Sequence, residues 1–204
     1  MKTIKVAITF IEEILGTECA DKDVHKEFIA SKSKDAAKME EELAALSADE
    51  LVDKAVTVFA RDTECVPMLW DYQIKGFFKD AIGLLLELEP KQINVGKSKL
   101  SKWTVKRLLD NYLFITPRRV RFSDTSQVGI CTRPLRAQTM RGERIALASS
   151  ETMPAGSVIT FEITMMDDGL ETLVRAALEY GKLKGIGQWR NSGKGRFEFK
   201  EIVE

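Results

Sequence analysis

Histidine is almost missing from this 204-residue chain, where His25 stands alone. Its neighbours in Asp23-Val24-His25-Lys26-Glu27-Phe28 supply carboxylates but no second imidazole or thiolate, so the sequence offers no metal knuckle and no His-based pair fixed by spacing. Cysteine is scarce as well. Cys19, Cys65 and Cys131 are odd in number, widely separated and without a Cys-x-x-Cys pair, and they read as reduced structural thiols of a cytoplasmic protein. Cys131 has arginines nearby but no base beside it, so nothing marks it as a nucleophile. No apolar run approaches the roughly 20 residues that a membrane helix needs. The short one after Lys2 and Lys5 is interrupted by Glu12 and Glu13 before a signal-peptide core develops. Neither a membrane partner nor a cofactor is expected.

Net charge is the remaining absence: 31 Lys/Arg balance 31 Asp/Glu. The balance hides an asymmetry. Residues 1–95 hold 12 basic against 19 acidic side chains, and residues 96–204 hold 19 against 12. A partner feels the local field and not the sum, so the second half can present a basic surface to a polyanion. The plainer alternative is that the two halves neutralise each other at an internal or subunit contact.

What is present is an apolar fraction of 44%, enough for a core without disulfides, in a chain long enough for one domain with an insertion. Thr3 to Ile11 is rich in β-branched residues and reads as a first strand. Residues 20–70 read as an acidic helical insertion, with Ser47 and Glu50 spaced as a capping box. A helix from about Tyr72 carries Ile74, Phe77, Phe78, Ala81, Leu84 and Leu85 on one face and ends before Pro90. Within it, Gly76 and Gly83 suggest close approach of a strand or ligand backbone. A short helix follows near residues 100–111, with Trp103 and Leu108 as core anchors. Strands are then expected at 113–116, 118–122, 133–138, 144–148 and, most clearly, 157–164. Asp167-Asp168-Gly169 reads as a turn or cap before a helix through Leu173, Val174, Ala177 and Leu178, and residues 196–199 as a last strand. The fold class that results is α+β, a split β-α-β antiparallel sheet with a helical insertion and a glycine-rich C-terminal loop.

The functional signal concentrates in that loop, Gly185-Ile186-Gly187-Gln188-Trp189-Arg190-Asn191-Ser192-Gly193-Lys194-Gly195-Arg196. Two Gly-x-Gly pairs make a sharply turning backbone able to expose N–H groups. Arg190, Lys194 and Arg196 add charge, and Trp189 adds a stacking plate. It is neither a dinucleotide fingerprint nor a phosphate loop, because it follows a helix and lacks the terminal Gly-Lys-Ser/Thr. Its alternative reading is a hairpin with Trp189 packed as a lid. A second signal is arginine placement: Arg118, Arg119 and Arg121, with Arg119 and Arg121 on one strand face, then Arg133, Arg136, Arg141 and Arg144. Arginine pairs with phosphate in a bidentate way, so a common stripe would favour backbone recognition, whereas scattered positions would be solvated surface.

The glycine loop and the helix segment Gln73-Ile74-Lys75-Gly76-Phe77-Phe78-Lys79-Asp80-Ala81 together resemble the repeat-associated RNA-binding (RAMP) superfamily, especially the backbone subunits of multisubunit CRISPR effector complexes. The resemblance implies a ferredoxin-like, RNA-recognition-type sheet, binding to the backbone of single-stranded RNA, and association with copies or related subunits. It places Lys75 and Lys79 beside RNA, Arg190 and Arg196 on phosphates, and Trp189 against a base. Two further readings stay open. One is a metal-independent repeat-RNA endoribonuclease, which would need His25 with Lys26 or Tyr72. The other is a viral or accessory protein-interaction module that binds no nucleic acid. A non-catalytic role is preferred.

Overall fold

The computed structural model describes residues 1–19, 57–88, 93–123, 128–139 and 142–202, with the backbone alone over 135–139 and 142–146. The expected helical insertion at 20–70 therefore lies, up to residue 56, outside the described residues. Its last part is extended and not helical, as β-branched and aromatic side chains around Thr57, Val58 and Phe59 favour.

In chain order the elements begin with β1 (Lys2–Phe10), β2 (Ile14–Leu15), β3 (Glu18–Cys19), β4 (Thr57–Val58), β5 (Ala60–Arg61) and β6 (Pro67–Trp70), followed by helix α1 (Asp71–Leu88). The hairpin β7 (Asn94–Val95) and β8 (Ser98–Lys99) leads to α2 (Val105–Tyr112), β9 (Leu113–Thr116) and β10 (Arg119–Arg121). A long hairpin, β11 (Gly129–Thr139) and β12 (Gly142–Met153), precedes β13 (Val158–Met165), α3 (Glu171–Lys184) and β14 (Phe197–Ile202).

The central sheet has the order β14-β1-β13-β9, with every neighbouring pair antiparallel. With α1 between β1 and β9, and α3 between β13 and β14, this is the β-α-β-β-α-β arrangement of ferredoxin-like sheets. Alternation decides which face is covered. Ile4, Val6, Ile8 and Phe10 of β1 and Ile159, Phe161, Ile163 and Met165 of β13 are buried in one core with Ile74, Phe78 and Ile82 of α1 and Val174, Ala177 and Leu178 of α3. The other face carries Thr3, Lys5, Thr9, Thr160, Glu162 and Thr164, and its one described aromatic is Phe114, on the edge strand β9.

Helix starts follow local chemistry. Gln73 Oε1 accepts from Trp70 N at 3.0 Å, and Asp71 in the first turn of α1 meets the positive end of the helix dipole. Ahead of α3, Asp167 Oδ1 accepts from Gly169 N at 2.9 Å, which makes the expected cap. Trp103 departs from expectation: α2 begins only at Val105, so Leu108 and Leu109 enter the core while Trp103 stays in the preceding turn, 89% exposed.

Outside the central sheet, β12 pairs with β11 along its length, with β2 and, in parallel, with β4. Buried Glu151 ties this layer to β5: it accepts from Arg61 Nη2 at 2.7 Å, Arg61 Nη1 at 3.0 Å and Phe59 N at 2.9 Å. Among the described residues no helix is long and apolar enough to cross a membrane.

Candidate nucleic-acid interface

The glycine loop begins where α3 stops. Gly185 takes φ +74°, and a side chain there would stand 2.6 Å from Lys194 O; at Gly195, φ +70°, it would stand 1.9 Å from Ile186 O. Only glycine lets the two limbs of the loop meet, and they do so through Ile186 N to Gly195 O at 2.9 Å. Buried Ile186 anchors the near limb, and Gly195 N donates to Glu13 O at 2.9 Å, so the loop is closed on itself and on the link after β1. Between the limbs, Gly187 and Gly193 also have positive φ, and Trp189 is left-handed at φ +55°, a conformation costly for an aromatic residue. The tight turn Arg190–Ser192 follows it, and Trp189 keeps 39% of its surface exposed.

The three cations of this loop have carboxylate partners that the sequence did not reveal. Arg190 Nη1 meets Asp80 Oδ2 at 3.1 Å, Lys194 Nζ donates to Glu13 Oε1, and Arg196 Nη2 donates to Glu12 Oε1 at 3.1 Å. Arg196 Nε also donates to Gly193 O at 3.0 Å. All three cations are thus held by carboxylates of the acidic first half, and the opposite charges of the two halves are in this place neutralised internally. The signal that could have found Glu12 and Glu13 was their position as an acidic break in an apolar run of sequence.

Trp189 is brought beside a fourth cation. Arg133 of β11 lies with its guanidinium carbon 4.8 Å from the centre of the indole, and its Nη2 donates to Gln188 Oε1 at 3.1 Å. On the α1 side, a cleft of about 380 Å³ runs between the helix and the loop, lined by Tyr72, Gln73, Gly76, Asp80, Gly187 and Arg190 among others. Gly76 opens onto it with nothing within 4 Å of where a side chain would begin, and Gly83 has only an ordinary contact at 3.7 Å, so neither makes the close approach expected of it.

The other predicted basic residues go elsewhere. Lys75 and Lys79 turn toward α2: Lys79 Nζ pairs with Asp110 Oδ1, and Lys75 donates to Asp110 O at 3.0 Å with its amine 4.9 Å from the centre of the Phe114 ring. Burial pulls the Lys75 amine below the usual lysine range, partly offset by the Asp110 carboxylate. Arg118 lies over Trp70 at 5.0 Å, beside Asp71 at 3.7 Å. Arg121 pairs with Asp62 and, at 2.9 Å, with Glu64. Arg119 and Arg121 do share a face, with Val120 buried between them. Arg119 and Arg121 belong to β10 of the small β10-β6-β5 sheet, Arg118 lies in the bend just before it, and none of the three lines the cleft. The side chains of Arg136, Arg141 and Arg144, and all of His25 and Lys26, lie outside the described residues. Tyr72, the other partner considered for His25, stacks on Trp70.

No family model matches this sequence, and no curated protein matches it either. A solved structure does. Its title is "Cryo-EM structure of the Type III-B Cmr-beta bound to cognate target RNA", and one of its chains superposes with a TM-score of 0.53 at 11% sequence identity. The likeness is one of fold. It covers 98% of this chain and 60% of that one, so the present chain spans about three fifths of the length of the Cmr-beta chain. The chain is therefore similar in fold to a chain of that Type III-B Cmr-beta structure, and the shared architecture is α+β.

Proposed function

We propose that this chain is a structural subunit that binds single-stranded RNA through its backbone in a CRISPR-type ribonucleoprotein, with the Gly185–Arg196 loop as the contact. The observation that carries the reading is the loop: a left-handed Trp189 held open between glycine-closed limbs, with an arginine stacked on it, as base stacking and phosphate neutralisation together require. The central sheet supports the same choice. Its uncovered face has one described aromatic, the exposed Phe114 at the edge, with the Lys75 amine 4.9 Å from its ring centre, so the sheet offers no row of stacking plates and Trp189 supplies one in the loop. The fold likeness to a chain of an RNA-bound complex supports the setting, including association with copies or related subunits.

The internal pairing of Arg190, Lys194 and Arg196 favours a second reading, a protein-interaction module whose loop is structural. Fluorescence anisotropy with single-stranded RNA, duplex RNA and single-stranded DNA across a salt series separates the two. The RNA reading expects preference for single-stranded RNA, steep loss of affinity with salt, and at least severalfold weaker binding by Trp189→Ala and Arg190→Ala. Binding that both substitutions leave unchanged rules out the loop, and no binding by the wild type leaves the interaction module.

A further inference from the structure

Arg133 differs from the loop cations in having no counter-charge among the described residues. It is only 7% exposed, yet its hydrogen bonds go to neutral oxygens, Gln188 Oε1 at 3.1 Å from Nη2 and Ser150 Oγ at 3.4 Å from Nη1. Among the described residues its Nε has no acceptor, and its guanidinium carbon lies 4.8 Å from the centre of the Trp189 ring. The buried carboxylate closest in sequence to Ser150, Glu151, is already taken at both oxygens by Arg61. A buried guanidinium in this condition is costly, and an anion relieves the cost. Gln188 Oε1 stands where an anionic oxygen would accept, and replacing the half-buried Gln188 exchanges a neutral acceptor of the guanidinium for a charged one.

We infer that Arg133, Gln188 and Trp189 form a single nucleotide site in which a phosphate group completes the Arg133 guanidinium while the base lies on the open part of the Trp189 ring. The polymer to which that phosphate belongs rests on the RNA reading above; the need for an anion rests on Arg133 alone. Arg190, Lys194 and Arg196 enter the complex with their carboxylates in place and hold the loop's shape, so the phosphate-specific contribution falls to the arginine that the loop covers.

The test is melting of wild type and Arg133→Met in a buffer free of phosphate and sulfate, then with inorganic phosphate, uridine monophosphate, or a 12-mer of oligouridylate. Arg133→Met is expected to melt at or above the wild type without additions and to lose the stabilisation that the wild type gains from an anion. In anisotropy it should bind the 12-mer roughly tenfold more weakly, with a salt slope smaller by about 0.7, the share of one single-strand phosphate. Stabilisation by the 12-mer but not by inorganic phosphate assigns the site to the polymer, and equal stabilisation by both assigns it to free phosphate. If the wild type binds no RNA but is stabilised by phosphate through Arg133, the RNA reading fails and the anion site stands. Nitrogen NMR of the wild type gives a readout that needs no folded variant: the Arg133 Nε–H resonance should shift on addition of the anion. A silent Nε–H signal, a wild type stabilised by none of the three probes, or an Arg133→Met protein with unchanged RNA affinity and slope would each overturn the inference.

Discussion

Gly181 of α3 faces the ring of Phe197 of β14 so closely that a side-chain carbon at 181 would stand 2.3 Å from the ring's Cζ. The contact lets the last helix settle directly on the last strand, where Phe197 also meets Phe77 at 5.2 Å and Phe10 at 6.3 Å between ring centres. Gly181→Ala should therefore cost about 1–3 kcal/mol through overpacking, despite the better helix propensity of alanine. Denaturant melts of Gly181→Ala and of the double variant with Phe197→Leu check this, with partial recovery expected in the double variant.

The opposite sign is expected in α1. Gly76 sits inside the helix with open space where a side chain would begin, so Gly76→Ala should stabilise the protein by about 0.5–1 kcal/mol. Thermal melting reads the gain. RNA affinity should stay at the wild-type value, because the contact proposed here lies at Trp189 and not in the cleft beside α1.

Glu12 and Glu13 restrain Arg196 and Lys194. Replacing both with glutamine frees two cations beside the proposed RNA path. The double variant should bind single-stranded RNA more tightly at low salt, with a slope steeper by up to about 0.7 for each phosphate newly engaged. Its stability should fall only modestly, since partly exposed pairs contribute at most about 1 kcal/mol each. A drop in RNA affinity with the fold intact would show that the carboxylates position the loop more than they oppose the polyanion.

Asp167 accepts from Gly169 N at 2.9 Å and from Gly96 N at 2.8 Å, and these two backbone donors, the Gly96 one most, hold its carboxyl below the ordinary value of 3.8. A lowered carboxyl pKa favours the folded state while the group is ionised, so the contribution is complete above pH 3.8 and is lost as the pH falls below it. Wild type should melt above Asp167→Asn at pH 6, and the gap should close progressively below pH 3.8. A gap independent of pH would mean that the neutral amide geometry, and not the charge, decides the difference.

Much of the architecture is legible from local pattern. The alternation through Val158–Thr164 and the apolar face of Ile74, Phe77, Phe78 and Ala81 each report a burial direction that tertiary structure then keeps. Trp103 was misread because hydrophobicity says nothing of whether a residue falls inside a helix or one turn before it. The loop was legible as a loop through its glycines. Its electrostatics were not, because the partners of Arg196, Lys194 and Arg190 lie 184, 181 and 110 residues away along the chain. Nor does any local pattern distinguish Arg133 from its neighbours, since its isolation is a fact about what the fold places around it.

The strand order has a consequence in time. β1, made from residues 2–10, lies between β13 and β14, made from residues 158–165 and 197–202. During synthesis Ile4, Val6, Ile8 and Phe10 therefore wait until β13 is made at residues 158–165 for a first neighbour, and until residues 197–202 for the second. Contacts of such long sequence separation make folding slow and leave a sticky early strand unpaired on the ribosome. The glycine loop is the segment just before β14, so its shape is set in the step that closes the sheet, and a nascent chain that stalls before residue 197 has neither.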